Sequence, residues 1–211
     1  MTLIDTFKKC VRLTFRIFGF TISKRLGNSD QYIIMPAKNQ RLVYESIGSI
    51  DWFNRTIYIQ SNDSRPWHIS EENPEENSRI FLIRSWIKKL GRDLDFYDIG
   101  ANYGLYSILL IDFCHIIIVE PNPFLVACLR KSFTESDAVI LQNAISDMDD
   151  VVDIDIMPRV SGASSANLDL LSQHKFESER FRLQAESITL KSLIEANSKS
   201  DKVGFFKLDV E

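Results

Sequence analysis

This 211-residue chain has only three cysteines and three histidines, and it carries no phosphate-binding loop. Cys10, Cys114 and Cys128 are odd in number and lack C-x-x-C spacing. That argues against a disulfide frame or a thiolate zinc site and reads as reduced intracellular thiols. Cys114 and Cys128 lie in apolar runs, where a thiol serves as a small core residue. His68 has no companion ligand and His174 sits in a polar run, so neither announces a metal or a base. No G-x-x-x-x-G-K-[ST] pattern occurs, which excludes the nucleotide loop built on it. Arg12 and Arg16 interrupt the N-terminal apolar stretch, which is then too short to cross a bilayer. No small-residue cleavage site follows it, so a secretory leader is not expected. A net charge of -4 speaks against a nucleic-acid groove over the whole surface. The remaining composition, 45% hydrophobic and 26% charged, suits one globular domain with a small appendage.

The most informative stretch is Phe96-Tyr-Asp-Ile-Gly-Ala-Asn-Tyr-Gly104, a short apolar strand running into a glycine turn and then a helix. Phe96, Tyr97 and Ile99 favour a strand, while Gly100 and Gly104 free the turn. Such a turn, at the carboxyl end of a buried strand, is where open α/β sheets bind ligands. A second apolar run, His115-Ile-Ile-Ile-Val-Glu120, ends in an acid twenty residues after Gly100. That spacing puts Glu120 at the tip of the neighbouring strand, where a carboxylate can take both hydroxyls of a ribose. Asn102 stands where a dinucleotide fingerprint needs its second glycine. Asp98 places negative charge beneath the turn, which suits a cationic ligand better than a pyrophosphate. S-adenosylmethionine, a sulfonium with an α-amino group, fits these features best.

Four segments in order then carry a resemblance: Asp98-Ile-Gly-Ala-Asn-Tyr-Gly104, Val119-Glu-Pro-Asn-Pro123, Leu141-Gln-Asn-Ala-Ile-Ser-Asp147 and Lys207-Leu-Asp-Val-Glu211. Together they resemble the successive motifs of FkbM-family methyltransferases over roughly Ile80 to Glu211. The resemblance implies a class I, Rossmann-like fold and methylation of hydroxyl oxygens on sugars, glycans and natural products. Two departures stand out. Thr189-Leu-Lys191 replaces the family's Thr-Leu-Asp, and the chain stops at Glu211 where the family continues into Gly and further strands. The fold class expected is therefore α/β, a doubly wound, mostly parallel sheet supplying strands 3-2-1-4 of the class I order. The reading is of a truncated enzyme whose fourth strand is left as an apolar edge, open to self-association or a partner.

Along the chain, three regions are expected: 1–30, 31–72 and 73–211. Residues 1–26 carry Lys8, Lys9, Arg12, Arg16, Lys24 and Arg25 against Asp5, a local +5 that leaves -9 elsewhere. Ile4, Phe7, Val11, Phe15, Phe18 and Ile22 share one helical face. Two readings of this basic amphipathic helix stand side by side: a peripheral anchor on an anionic membrane, or a helix packed on the domain or a partner. A linker at Gly27 to Asp30 precedes a small β-rich extension with runs at Leu42 to Tyr44 and Thr56 to Ser61. Trp52, Phe53 and Trp67 there could line an acceptor groove or simply fill a core. Asn73-Pro74 begins a helix whose stripe is Ile80, Ile83, Trp86, Ile87 and Leu90, ended by Gly91. Asn122-Pro123 repeats the start, with Val126, Leu129 and Phe133 buried. Ala138 to Ala144 is the third strand and Val151 to Met157 a half-exposed one. The same-face pair Asp153 and Asp155 lacks a third ligand, so no metal is assigned. Arg159 to Asn167 reads as a mobile lid. Residues 172–184 give little signal, Thr189 to Ala196 is helical, and Val203 to Val210 is a buried strand.

By the resemblance and this geometry, Asp98 would hold the turn and the cofactor's ammonium, and Gly100, Asn102 and Gly104 would line its methionine part. Glu120 would take the ribose. Asn143 would face adenine, although a turn residue capping its own backbone explains it too. Asp209 and Glu211 are the candidates for positioning or deprotonating an acceptor hydroxyl. An NAD-dependent oxidoreductase and a non-catalytic module needing a partner are the competing readings. The expected setting is cytoplasmic, with small-molecule or glycan acceptors and no nucleic acid.

Overall fold

The computed structural model describes residues 20–24, 32–36, 47–90, 94–157, 161–163, 181–198 and 204–209. Its chain divides into two compact units, Met1–Ile47 and Gly48–Glu211. In the first, β1 (Phe20–Lys24) and β2 (Tyr32–Pro36) pair antiparallel, Phe20 opposite Pro36 and Lys24 opposite Tyr32. The helix expected over residues 1–26 therefore does not extend across 20–24. Phe20, Thr21 and Ile22 are aromatic or β-branched and favour an extended ribbon. The rest of that expected helix and the linker lie outside the described residues.

The second unit starts at Gly48, so much of the segment expected as a separate extension belongs with the main domain. Here β3 (Ile47–Trp52) and β4 (Arg55–Gln60) pair across Phe53-Asn54. Both turn residues have positive φ, 47° and 61°, as a two-residue turn matched to strand twist requires. Trp52 and Ile57 are buried, and the Phe53 ring meets Trp52 and Phe81 edge-on, so Trp52 is core. Helix α1 (Pro74–Leu90) opens on the expected proline and buries Ile80 and Ile87. Its stripe is narrower than the spacing suggests, because Trp86 and Leu90 are 47% and 65% exposed.

The main sheet has four parallel strands: β5 (Asp95–Ile99), β6 (His115–Val119), β7 (Val139–Leu141) and β11 (Gly204–Leu208). Their spatial order is β11-β5-β6-β7, which is the expected 3-2-1-4 read from the other edge. Every residue of β5 is buried, as parallel strands covered on both faces should be. A short helix, α2 (Leu105–Ile108), follows the glycine turn, and α3 (Pro123–Ser132) follows β6. Asn122 Oδ1 accepts from the Phe124 amide, so the expected cap is made. Val126, Leu129 and Phe133 are all buried behind it. Helix α4 (Leu190–Asn197), capped by Thr189, puts Leu193 against Tyr97, Ile99, Ile117 and Val119. At the β11 edge, Phe206 stacks on Tyr97 with ring centroids 4.5 Å apart, while Leu208 is 56% exposed.

The third strand is shorter than expected. It ends at Leu141, and the chain turns at Gln142-Asn143 into β8 (Ala144–Ile145), which joins a second sheet of order β8-β10-β9. Strand β9 (Val151–Ile156) pairs antiparallel with β10 (Phe181–Ile188), an element absent from the sequence reading. Asp155, expected to share a face with Asp153, is buried and held by Arg182 at 3.0 Å. No group of three or more His, Cys, Asp or Glu among the described residues could hold a metal ion. No described helix is long and apolar enough to cross a membrane.

Gly104 locks the turn to α3. Its φ is +72°, and a Cβ there would lie 2.7 Å from Leu129 Cδ2 and 3.0 Å from Phe133 Cε2. Gly104→Ala is therefore expected to cost about 3 kcal/mol, combining left-handed strain with overpacking. Urea denaturation measures it, and a loss under about 0.5 kcal/mol would contradict this packing.

Candidate active site

The glycine turn is built by three consecutive demands on the backbone. Gly100 and Gly104 take φ of 69° and 72°, and Asn102 takes 54°, a left-handed conformation that asparagine tolerates. The Gly100 and Ala101 amides donate to the Val119 carbonyl, which fastens the turn to the end of β6. Immediately beyond, Glu120 receives the Asn102 amide on Oε2 at 2.9 Å and the Asn122 amide on Oε1 at 3.0 Å. A carboxylate has about four acceptor positions, so these two leave each oxygen one more.

Glu120 looks into a hollow of about 530 Å³. Gly100 and Asn102 form one side, Asn143 to Ser146 another, and Leu125, Val152, Ile154 and Ile156 an apolar wall. Asn143 lines this hollow, while its amide donates to the Glu186 carbonyl at 3.4 Å. Burial pushes the Glu120 carboxyl up to about 7, against the opposing pull of the Asn122 and Asn102 amides.

Of the two roles expected of Asp98, holding the turn is the one its contacts support. Asp98 has no exposure and lines neither hollow of the site, so it does not reach a ligand's ammonium there. Oδ2 accepts from Ser107 Oγ at 2.7 Å, and Oδ1 faces Lys207 Nζ at 3.2 Å without hydrogen-bond geometry. Burial turns it inward as an anchor for the turn. Lys207, unremarked as a site residue in the sequence reading, is the centre of this arrangement. Its ammonium also donates to the Gly100 carbonyl at 2.8 Å, lies 3.5 Å from Asp209 and sits over the Tyr106 ring. One signal was present in the sequence: a lysine inside the otherwise apolar run Val203 to Leu208.

Asp209 follows β11 directly. Its amide donates to the Ile99 carbonyl, and its exposed carboxylate borders both hollows. Glu211 lies outside the described residues, as do His174 and most of the expected lid. Of that lid, Ser161 and Gly162 border the larger hollow, and Asn102 Nδ2 donates to Ser161 Oγ at 3.2 Å. Ser161 is held from behind by Asp63, whose Oδ1 takes the Ser161 and Arg65 amides. The Tyr103 hydroxyl donates to Asp63 Oδ2 at 2.5 Å. Burial, with Asp63 alongside, raises that phenol well above its usual range, so it stays a donor. Asp63 and Arg65 carried no recognisable motif.

A family model described as the methyltransferase FkbM domain matches residues 98–211, more than half of the chain. The chain belongs to the FkbM methyltransferase family. The matched span begins at Asp98 and takes in the glycine turn, Glu120, Asn143 and Asp209 of this family member. No curated protein matches it. Among solved structures, wild-type Trm5b from Pyrococcus abyssi is similar at 12% identity and a TM-score of 0.32. The likeness covers 61% of the FkbM-family chain and 40% of that one, so this chain spans well under two thirds of it.

Lys207→Met leaves the Asp98 charge buried without a counter-ion and should cost about 3 kcal/mol in chemical denaturation. Adding Asp98→Asn should recover much of that loss; a double variant as unstable as the two single losses combined would contradict the pairing. For Glu120, the folded value lies above the 4.5 of an unfolded chain. The stability it contributes is thus fully present below about 4.5 and lost as pH rises through about 7. Between pH 5 and 8, wild-type unfolding free energy should fall relative to Glu120→Gln; a constant difference would contradict the assignment.

Proposed function

We propose that this family member is an S-adenosylmethionine-dependent methyltransferase acting on a hydroxyl oxygen of a sugar, glycan or natural product. The observation that carries the reading is the Glu120 carboxylate, set at the tip of β6 with an acceptor position left on each oxygen, facing a hollow of about 530 Å³. A ribose diol is the complement of that pair. The apolar wall of Leu125, Val152, Ile154 and Ile156 suits the faces of adenine, and Asn143 beside it suits the ring edge. The donor set thus fits an adenosyl group, with its ribose and base placed by Glu120 and Asn143.

When bound, S-adenosylmethionine would supply a methyl on cationic sulfur: a C–O bond forms as the C–S bond breaks, a neutral thioether remains, and the hydroxyl proton passes to a base. Asp209, at the mouth common to both hollows, would receive that proton, with Lys207 fixing its place 3.5 Å away. The family resemblance gives Glu211, outside the described residues, the same role. Alignment of the two reactants by the turn and by Asp209 would supply much of the rate.

Titration calorimetry with S-adenosylhomocysteine and with NAD tests the reading. S-adenosylhomocysteine should bind, NAD should not, and Glu120→Ala should weaken S-adenosylhomocysteine at least about 30-fold, two hydrogen bonds of roughly 1 kcal/mol each. Unchanged affinity in Glu120→Ala, or preference for NAD, would overturn it.

A further inference from the structure

Asp63 stands outside the span that the family model matches, in the loop that follows β4. It is 2% exposed and lines neither the larger hollow nor the smaller one of about 300 Å³ beyond the glycine turn. Three donors nevertheless converge on its carboxylate. Oδ1 accepts the Ser161 and Arg65 amides, each at 3.1 Å, and Oδ2 accepts the Tyr103 hydroxyl at 2.5 Å. The loop itself is fastened to the domain. The Asp63 amide donates to the Gln60 carbonyl, and Gln60 Nε2 donates to the Phe124 carbonyl on α3 at 3.2 Å.

Asn102 lies between two of the residues that Asp63 holds. Tyr103 follows it in the chain, and Ser161 Oγ accepts from its side-chain amide at 3.2 Å. Asp63, Tyr103, Asn102 and Ser161 thus close a ring, and Asn102 is the member that touches Glu120, through its backbone amide at 2.9 Å. A left-handed φ of 54° at a residue other than glycine persists where the surroundings over-determine it, and the ring supplies that constraint. Resting on the adenosyl reading above, we infer that Asp63 is a positioning residue for the ribose site: it holds Asn102 through Tyr103 and Ser161, and Asn102 in turn aims the Glu120 carboxylate. Without the Asn102 amide, Glu120 keeps only the Asn122 amide on Oε1, and its other oxygen is free to turn away from a diol. The β3–β4 hairpin is thereby tied to the ligand hollow by a residue that never meets the ligand.

Amide hydrogen exchange on the full chain, without ligand, reads the ring directly because each amide reports its own opening. In Asp63→Ala the Asn102 amide should exchange at least about 10-fold faster, while the Gly100 amide, bonded to the Val119 carbonyl outside the ring, stays within about twofold. Asp63→Asn keeps the shape with one acceptor oxygen instead of two; where Asp63→Ala does not fold, it should show the same pattern at about threefold or more. Calorimetry supplies the ligand side. Wild type should bind S-adenosylhomocysteine at least about 10-fold more tightly than its 2′,3′-dideoxy analogue, through the hydroxyl bonds to Glu120. The Asp63 variant should cut that ratio to about threefold or less while the dideoxy affinity stays within about threefold of wild type; a merely structural role would weaken both ligands alike. Asn102 exchange that is unchanged, or accelerated together with Gly100, overturns the inference, as does an undiminished preference for the diol. Wild type binding neither compound, or both equally, defeats the adenosyl reading alone, and the exchange rates then still decide whether Asp63 holds Asn102.

Discussion

The site depends on one buried ion pair. A carboxylate with no exposure at the end of a strand covered on both faces must be neutralised, and Lys207 on the adjacent strand does this for Asp98. The same ammonium then holds the Gly100 carbonyl and stands beside Asp209. Through that one side chain, the register of β11 against β5 is coupled to the shape of the turn and to the position of the candidate base. Slipping β11 by one residue would turn Lys207 to the opposite face and leave Asp98 uncompensated. In the observed register Lys207 lies directly opposite Asp98.

Local chemistry made much of this legible in advance. The strand–turn–helix at Phe96 to Gly104, the acid closing β6, the Asn122-Pro123 cap and the strand order depend on residues near one another or on an ordered series of motifs. What depends on distant partners was not legible. The sequence supplies the charge of Asp98 but not the direction of its side chain, because a strand buried on both faces lacks the alternation that would reveal it. Asp63 joins the site only because Tyr103 and Ser161 meet it across the fold.

The remaining mismatches share a cause. Phe18 and Ile22 satisfy a helical spacing, yet 20–24 is a strand, since short apolar runs fit either period and pairing with 32–36 decides. Strand β10 was hidden among charges because Arg182 faces Asp155, a partner that only β9 provides. On α1, helical periodicity identified the inward side through Ile80 and Ile87, but the width of the stripe is set by what packs against it, and Trp86 and Leu90 fall outside.

With Asp98 neutralised from within, Glu120 is the buried acid of the larger hollow, and Asp209 is exposed at its border. Burial lifts the Glu120 carboxyl to about 7, which disfavours its charged form. Two ligand features would reverse this: hydroxyls that donate to the carboxylate, and a positive charge nearby, each favouring the ionised form. A ligand with both would release a proton on binding, by the reciprocity of linked equilibria. A neutral thioether carrying the same ribose would release less than a sulfonium, because only the hydroxyl donors remain. The burial that destabilises the Glu120 charge would therefore let this hollow distinguish a cationic ligand from a neutral one of the same shape.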